Sequence, residues 1–157
     1  MSLAIGVDVG GTKVAAGVVD SRGRILAKLK RSTPAASPPQ TEQVIADVVT
    51  ELLVGHEVAA IGLGAAGFVD SERAMMLFAP NLAWRDRPLK QRVEERLGRA
   101  VVVENDANAS AWAEARYGAA RGYRDVVLVA VGTGIGAAII IGGELYRGRW
   151  GIAGEPG

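Results

Sequence analysis

Acidic and hydroxyl side chains follow apolar runs at several glycine-rich points of this sequence. The first such segment is Asp8-Val9-Gly10-Gly11-Thr12-Lys13, at the end of a strand-like run. Its glycines let backbone N–H groups approach phosphate oxygens, Thr12 can donate to them, and Lys13 adds positive charge. Asp8 could hold Mg²⁺ through water. The segment predicts a phosphate-binding turn, and a tight hairpin turn that needs glycine for a positive φ is the alternative.

A second glycine turn, Gly132-Thr133-Gly134, lies between two further apolar runs. It repeats the strand, turn and strand of the opening residues, and this repetition favours phosphate binding at both turns. The two turns indicate a duplicated architecture in which each half presents a glycine turn to a shared cleft.

Two other nucleotide-binding patterns are excluded. The spacing from Gly6 to Lys13 is not that of a P-loop, because Thr12 precedes Lys13 and a strand-like run follows. The stretch from Gly62 to Gly67 matches G-x-G-x-x-G, but no helix-like run follows and no acid lies about twenty residues on to bind a ribose. We expect Gly67 instead to lie in a loop at the carboxyl end of a strand, where ligands of open α/β sheets bind.

The segment Glu104-Asn105-Asp106 joins a strand-like run to a helix-like run. Asp106 suits a helix N-cap or a first-turn acid, since both positions favour aspartate. The same geometry suits catalysis, because the helix dipole would hold Asp106 ionised and able to accept a hydroxyl proton during phosphoryl transfer. Neither role excludes the other. Glu155, in a glycine-rich segment near the end, could accept hydrogen bonds from sugar hydroxyls.

Apolar periodicity, with glycine and proline as punctuation, predicts an α/β domain of order βββαβαβα. Thr41 is predicted to be the N-cap of the first helix, which ends at Gly55, and the later helices are closed by Gly98 and Gly118. The predicted strands span residues 3–9, 14–20, 24–30, 58–63 and 100–103, and the other two predicted helices span 89–97 and 106–117.

Residues 125–131, 135–141 and 144–147 read as three more strands that begin a second unit. We therefore predict an N-terminal lobe over residues 1–118 and a truncated second lobe over 119–157. The symmetry of the two hairpins leads us to expect a further ~100 to 150 residues, which is about one domain.

The composition favours a small-molecule partner. Lys plus Arg at 18 against Asp plus Glu at 17 leaves a net charge of +1, which gives no electrostatic reason to expect nucleic acid or an anionic membrane as a partner. The sequence has no cysteine for a disulfide. It also lacks a recognisable leader and a long uncharged apolar run, so we expect a cytoplasmic protein.

The chain contains six segments in this order: IGVDVGGTKVAAGVVD, LGAAGFVD, APNLAW, VENDANASAWAEARYGAA, VGTGIGAAIIIGGELYRG and GIAGEPG. Together they resemble the repressor, open reading frame and kinase family of bacterial sugar kinases, ROK, and within it the glucokinases. The resemblance implies a ribonuclease H-like, actin-like ATPase fold. It implies that ATP with Mg²⁺ donates a phosphoryl group to the 6-hydroxyl of a hexose, glucose in the first instance. It also implies a homodimer or a higher oligomer.

The resemblance further implies roles for individual residues. Asp106 matches the catalytic base, and Asn105 together with Asp106 would hold the sugar hydroxyls. Glu155 matches a sugar-binding glutamate, and Gly67 and Asn81 would line the sugar pocket. The two phosphate loops would be formed by Asp8, Gly10, Gly11, Thr12 and Lys13, and by Gly132, Thr133 and Gly134.

Members of the family usually continue from this final segment into a histidine that binds sugar and zinc, and then into a cysteine-rich zinc motif. Gly157, the last residue given, stands one residue before the position where that histidine would be expected. We therefore expect no metal ligand set for zinc in this chain, and zinc only in a missing C-terminal part.

Other functions stay open at this point. An N-acylhexosamine kinase of the same family would use the same loops, and a sugar-binding module would use them without catalysis. An actin-like assembly protein would also carry paired phosphate hairpins. Repressors of the family carry a helix-turn-helix before the first strand, and since that strand starts here at Leu3 we do not expect repression.

Overall fold

A computed structural model describes residues 2–132 and 134–155 of the chain. Its main sheet consists of β1 (Leu3–Val9), β2 (Lys13–Asp20), β3 (Ile25–Ser32), β4 (Ala60–Ala65) and β8 (Val102–Asn105). The strands lie side by side in the order β3-β2-β1-β4-β8. β1, β2 and β3 form an antiparallel meander, while β4 pairs in parallel with both β1 and β8. The carboxyl ends of β1, β4 and β8 therefore meet at one edge of the sheet.

Three helices flank this sheet, α1 (Pro38–Leu53), α2 (Leu89–Leu97) and α3 (Asp106–Tyr117). Alternation along β1 sends Val7 and Val9 into a core that also contains Ile45 and Val48 of α1. The opposite face carries small residues, so α3 approaches it closely. A Cβ built at Gly64 would stand 3.5 Å from the Cβ of Ala109. This close approach places the first turn of α3 beside the carboxyl edge of the sheet.

Two small sheets complete the described structure. The first has the order β5-β6-β7 and the second the order β11-β10-β9. The second packs on α3 through a cluster of Ala107, Ala111, Ala138 and Ile140. Their strands are β5 (Phe68–Val69), β6 (Met76–Phe78), β7 (Arg85–Arg87), β9 (Val126–Val131), β10 (Ile135–Ile141) and β11 (Glu144–Leu145).

The predicted order βββαβαβα is that of the main sheet and its helices, but β5, β6 and β7 were not predicted. The N-cap assignment of Thr41 is wrong. Ser37 occupies the N-cap of α1, and Pro38 begins the helix because proline is well suited to the first helical turn. The Thr41 hydroxyl instead donates to the carbonyl oxygen of Pro34 at 3.0 Å, and its side chain is buried. None of the three described helices has the length and apolarity needed to span a bilayer.

Candidate active site

Three carbonyl groups of the turn between β1 and β2 accept hydrogen bonds from within the protein. The N–H of Gly10 donates to the carbonyl oxygen of Lys13 at 3.0 Å, and the hydroxyl of Thr33 donates to that of Gly10 at 2.8 Å. The N–H of Thr33 donates to the carbonyl oxygen of Thr12 at 3.1 Å. Among the described residues, the N–H groups of Gly11 and Thr12 donate no backbone hydrogen bond. The turn can therefore offer N–H donors to an anion.

Gly11 brings this turn against the loop over residues 79–84. A Cβ at Gly11 would lie 2.7 Å from the Cβ of Asn81 and 2.9 Å from its carbonyl oxygen, so only glycine allows the approach. The predicted phosphate turn and the predicted sugar-pocket residue Asn81 are thus in direct contact.

Arg85 organises the loop that carries Asn81. Its guanidinium lies 3.9 Å from the centre of the Phe78 ring, where it makes a cation–π contact. Its Nη1 also donates to three carbonyl oxygens of the loop, those of Ala79 at 2.9 Å, Leu82 at 3.2 Å and Trp84 at 2.6 Å.

The junction of β8 and α3 fixes the orientation of the Asn105 amide. Asn105 is the N-cap of α3, and its Oδ1 accepts the backbone N–H of Asn108 at 2.9 Å. Asp106 is the first-turn acid and not the cap, and its Oδ1 accepts the N–H of Ala107 at 3.0 Å. Because Oδ1 of Asn105 is committed to the helix, Nδ2 has to face the site.

Nδ2 of Asn105 gathers several predicted site residues. It donates to Oε1 of Glu155 at 2.6 Å, to the carbonyl oxygen of Gly67 at 3.0 Å and to Oδ1 of Asp106 at 3.2 Å. Four residues predicted to bind sugar therefore meet at one amide, although they come from three distant parts of the chain.

Two glycines allow Glu155 to reach this amide. Gly151 has φ of +89°, and a Cβ there would lie 2.5 Å from the carbonyl oxygen of Val69. A Cβ at Gly154 would overlap the carbonyl group of Ala137 in β10. The terminal loop can therefore lie between β5 and β10 only with glycine at both positions.

Burial and neighbouring charge perturb the two site carboxyls. Burial raises the pKa of Asp106, and the charge of Asp8 raises it further, although the N–H of Ala107 acts in the opposite direction. Burial also raises the pKa of Glu155, as does the charge of Asp106, against the hydrogen bond from Asn105. Asp8, at the end of β1, and Asp106 line the same groove of about 750 Å³ over the sheet. The site thus holds three carboxyls near the carboxyl edge of the sheet.

The second glycine turn makes no hydrogen bond to this cluster among the described residues. The N–H of Gly132 donates to the carbonyl oxygen of Gly134 at 2.9 Å, and both glycines are exposed at the tip of the β9–β10 hairpin. Thr133 lies outside the described residues. Just beyond the turn, a Cβ built at Gly136 would lie 3.4 Å from the Cβ of Ala107, so the start of β10 packs on the first turn of α3.

Comparison with known proteins decides the family. The sequence pattern of the ROK family matches residues 4–157. The chain belongs to the ROK family. It is 52% identical to the glucokinase of Streptomyces coelicolor over 157 aligned residues. The alignment covers the whole of this chain and 49% of that relative.

Solved structures of ROK proteins share the fold. A ROK family glucokinase from Streptomyces griseus, in complex with glucose and AMPPNP, superposes on this chain with a TM-score of 0.93 and 55% sequence identity. The superposition covers 98% of this chain and 49% of the Streptomyces griseus chain. The ROK hexokinase of Thermus thermophilus has a TM-score of 0.87 and 38% identity over 98% of this chain and 51% of its own. The chain spans about half the length of these relatives. The predicted actin-like α/β fold is confirmed.

Sequence reasoning on this ROK chain missed residues that organise the site without facing it. Arg85 fixes the Asn81 loop, and Arg147 pairs with Glu104 beside Asn105. Glu104 and Arg147 both stand within the family segments given above, so their positions offered a signal. Arg85 offered none, because a lone arginine outside these segments is most often a solvent-exposed residue.

Proposed function

We propose that the complete protein containing this chain is an ATP-dependent hexose kinase that phosphorylates the 6-hydroxyl of glucose. The observation that carries the proposal is the amide of Asn105, which joins Asp106 and Glu155 in one polar cluster. A carboxylate with a raised pKa beside hydroxyl-binding groups suits an acceptor whose proton must be removed.

The sugar would be held by Asn105 and Glu155, with Gly67 and Asn81 lining the pocket. Sugar hydroxyls both donate and accept, so a carboxylate next to an amide N–H can bind two neighbouring hydroxyl groups. Asp106 would accept the proton of the 6-hydroxyl while the oxygen of that hydroxyl forms a bond to the γ-phosphorus. The bond from that phosphorus to its bridging oxygen breaks, and ADP leaves with the electron pair.

The phosphates would be held by the turn of Gly10, Gly11, Thr12 and Lys13. The support is that the N–H groups of Gly11 and Thr12 donate no backbone hydrogen bond among the described residues, and that Thr12 and Lys13 are exposed. The second glycine turn, with Gly132, Thr133 and Gly134, would bind the phosphates of ATP from the other side. Asp8 fits Mg²⁺ because it offers a hard carboxylate oxygen beside Asp106, and Mg²⁺ when bound would neutralise charge on the transferring phosphoryl group.

We propose that residues 1–118 form the first lobe and that residues 119–157 begin the second. In support, β9, β10 and β11 form a sheet separate from the main one, and it packs on α3 through a small apolar cluster. The relatives are about twice as long as this chain, which leaves room for a completed second lobe. From the family resemblance we also expect zinc in that remainder, a cytoplasmic location and a homo-oligomer.

A coupled assay of ADP release from Mg-ATP tests the proposal. We expect the complete protein to turn over glucose and the 157-residue chain not to do so, because most of the second lobe lies outside it. Preference for N-acetylglucosamine over glucose would instead indicate an N-acylhexosamine kinase. Sugar binding without ADP release from any hexose would indicate a binding module and would contradict the kinase proposal.

The rate is expected to depend on the ionisation of Asp106. A base must be deprotonated, so kcat/KM for glucose should fall as the pH decreases through the pKa of Asp106. Since burial and the Asp8 charge raise that pKa, the fall is expected at a higher pH than for an exposed aspartate. In Asp8→Asn the normalised pH–rate profile should shift to lower pH, even though Mg²⁺ binding weakens. An unshifted profile would contradict the assignment of this ionisation to Asp106.

A further inference from the structure

Arg147, which follows β11, forms an ion pair with Glu104 near the end of β8. Its Nε and Nη2 both donate to Oε2 of Glu104, at 2.9 and 2.6 Å. The side chains are 28% and 13% exposed. Two N–H donors of the planar guanidinium converge on one oxygen, which fixes the direction of approach of the positive charge.

The other oxygen of Glu104 supports the amide at the centre of the site. Oε1 accepts the backbone N–H of Asn105 at 3.0 Å and Nδ2 of Asn108 at 3.0 Å. Asn108 in turn donates its backbone N–H to Oδ1 of Asn105. Glu104 therefore holds both the backbone of Asn105 and the helical turn that orients its side chain.

The backbone of Arg147 supports the opposite wall of the site. Its carbonyl oxygen accepts the N–H of Ala153 at 3.1 Å, and the N–H of Glu155 donates to the carbonyl oxygen of Ile152 at 3.1 Å. The loop that presents Glu155 is thus tied to Arg147. One residue contacts the Asn105 wall through its side chain and the Glu155 wall through its backbone.

We propose that Arg147 is a positioning residue that sets the separation between Glu155 and the Asn105–Asp106 wall, and thereby the affinity for the sugar. The inference rests on the proposed function and goes beyond the residues that would touch the sugar. A partly exposed ion pair by itself contributes little to stability. Its significance here lies in the two segments that it joins, which come from β8 and from the loop after β11.

Kinetics of Arg147→Met in the complete protein test the proposal. We expect KM for glucose to rise about tenfold or more, which is the scale of one lost charge-assisted hydrogen bond, while KM for ATP stays unchanged. Arg147→Lys should recover part of the affinity, because lysine keeps the positive charge but lacks the paired N–H donors of the guanidinium. Combining Arg147→Met with Glu104→Gln should cost no more than the worse single variant. Arg149→Met is the matched control, since that guanidinium stacks on Trp150 and should leave both KM values unchanged.

A general loss of structure would lower kcat and leave the two KM values unchanged, and that result would overturn the proposal. A crystal structure of Arg147→Met gives a readout independent of activity. We expect the contact between Asn105 and Glu155 to lengthen beyond hydrogen-bond distance, and its persistence at 2.6 Å would also overturn the proposal. If the wild type phosphorylates no hexose while Glu155 moves in the variant, the kinase assignment fails and the positioning role stands.

Discussion

Asp106→Asn in the complete protein is expected to lower kcat for glucose phosphorylation by about 10³-fold, the scale of a lost general base. Asparagine can still accept the N–H of Ala107, so the first turn of α3 should be preserved. It cannot accept a proton from the sugar. Sugar affinity should change little, because Asn105 and Glu155 remain. The measurement is a coupled assay together with calorimetric titration of glucose.

The stability of the same variant separates a chemical defect from a folding defect. The raised pKa of Asp106 means that folding disfavours its ionised form, so the neutral amide should raise the melting temperature at neutral pH. This gain should disappear at a pH low enough to protonate Asp106 in both the folded and unfolded states. Asp125→Asn is the control, because Asp125 accepts the N–H of Gly142 at the remote end of the hairpin. Turnover like that of the wild type, or a melting temperature lowered in step with activity, would contradict the assignment of Asp106 as the base.

Asn105→Asp is expected to weaken glucose binding by about 100-fold at neutral pH. The substitution keeps the oxygen that caps α3 and replaces the donor, Nδ2, with a second oxygen. That oxygen would face Glu155 and Asp106, and two unit charges at 4 Å in a partly buried site repel by about 4 kcal/mol. Calorimetric titration with glucose measures the loss directly.

The pH dependence of this variant identifies the cause. Protonation would let the carboxyl at position 105 donate again, so the defect should shrink as the pH falls from 7 towards 5. Asn105→Ser is the matched control, since a serine hydroxyl can still cap the helix but adds no charge. It should bind more weakly than wild type at all pH values by a constant factor. A defect in Asn105→Asp that does not change with pH would rule out charge repulsion.

Segments with strong local signals could be predicted from the sequence. The bounds of β1, α2, α3 and β10 agree with the prediction, because each is a strand-like or helix-like run with a glycine or a polar cap beside it. Gly98, for example, closes α2 in the left-handed conformation with φ of +61°. The type and position of these elements follow from interactions within a few residues.

Elements that depend on tertiary context could not be predicted. β5, β6 and β7 contain two or three residues each, too few for alternation to be visible, and β7 is the charged triplet Arg85-Asp86-Arg87. β4 was expected two residues earlier, because Val58 reads as part of the strand. Val58 is buried, but in the loop before β4.

In the candidate site, likewise, the residues could be predicted but the contacts between distant segments could not. The sequence singled out Asn105, Asp106 and Glu155 by residue type and family resemblance, and the structure brings them together. The contact between Asn105 and Glu155 spans 50 residues of chain, and that between Arg147 and Glu104 spans 43. No local pattern encodes such distances. They are set by α3 packing on β10 and by glycines that let the terminal loop approach.

The packing of Gly11 on Asn81 has a consequence for changes in substrate preference. The loop proposed to recognise the sugar and the turn proposed to bind the phosphates share one van der Waals surface, and a bulkier neighbour of Asn81 or any side chain at position 11 would displace both. Directed evolution of this loop towards a new acceptor would therefore need compensating changes in the first turn, and single-site libraries would recover few active variants.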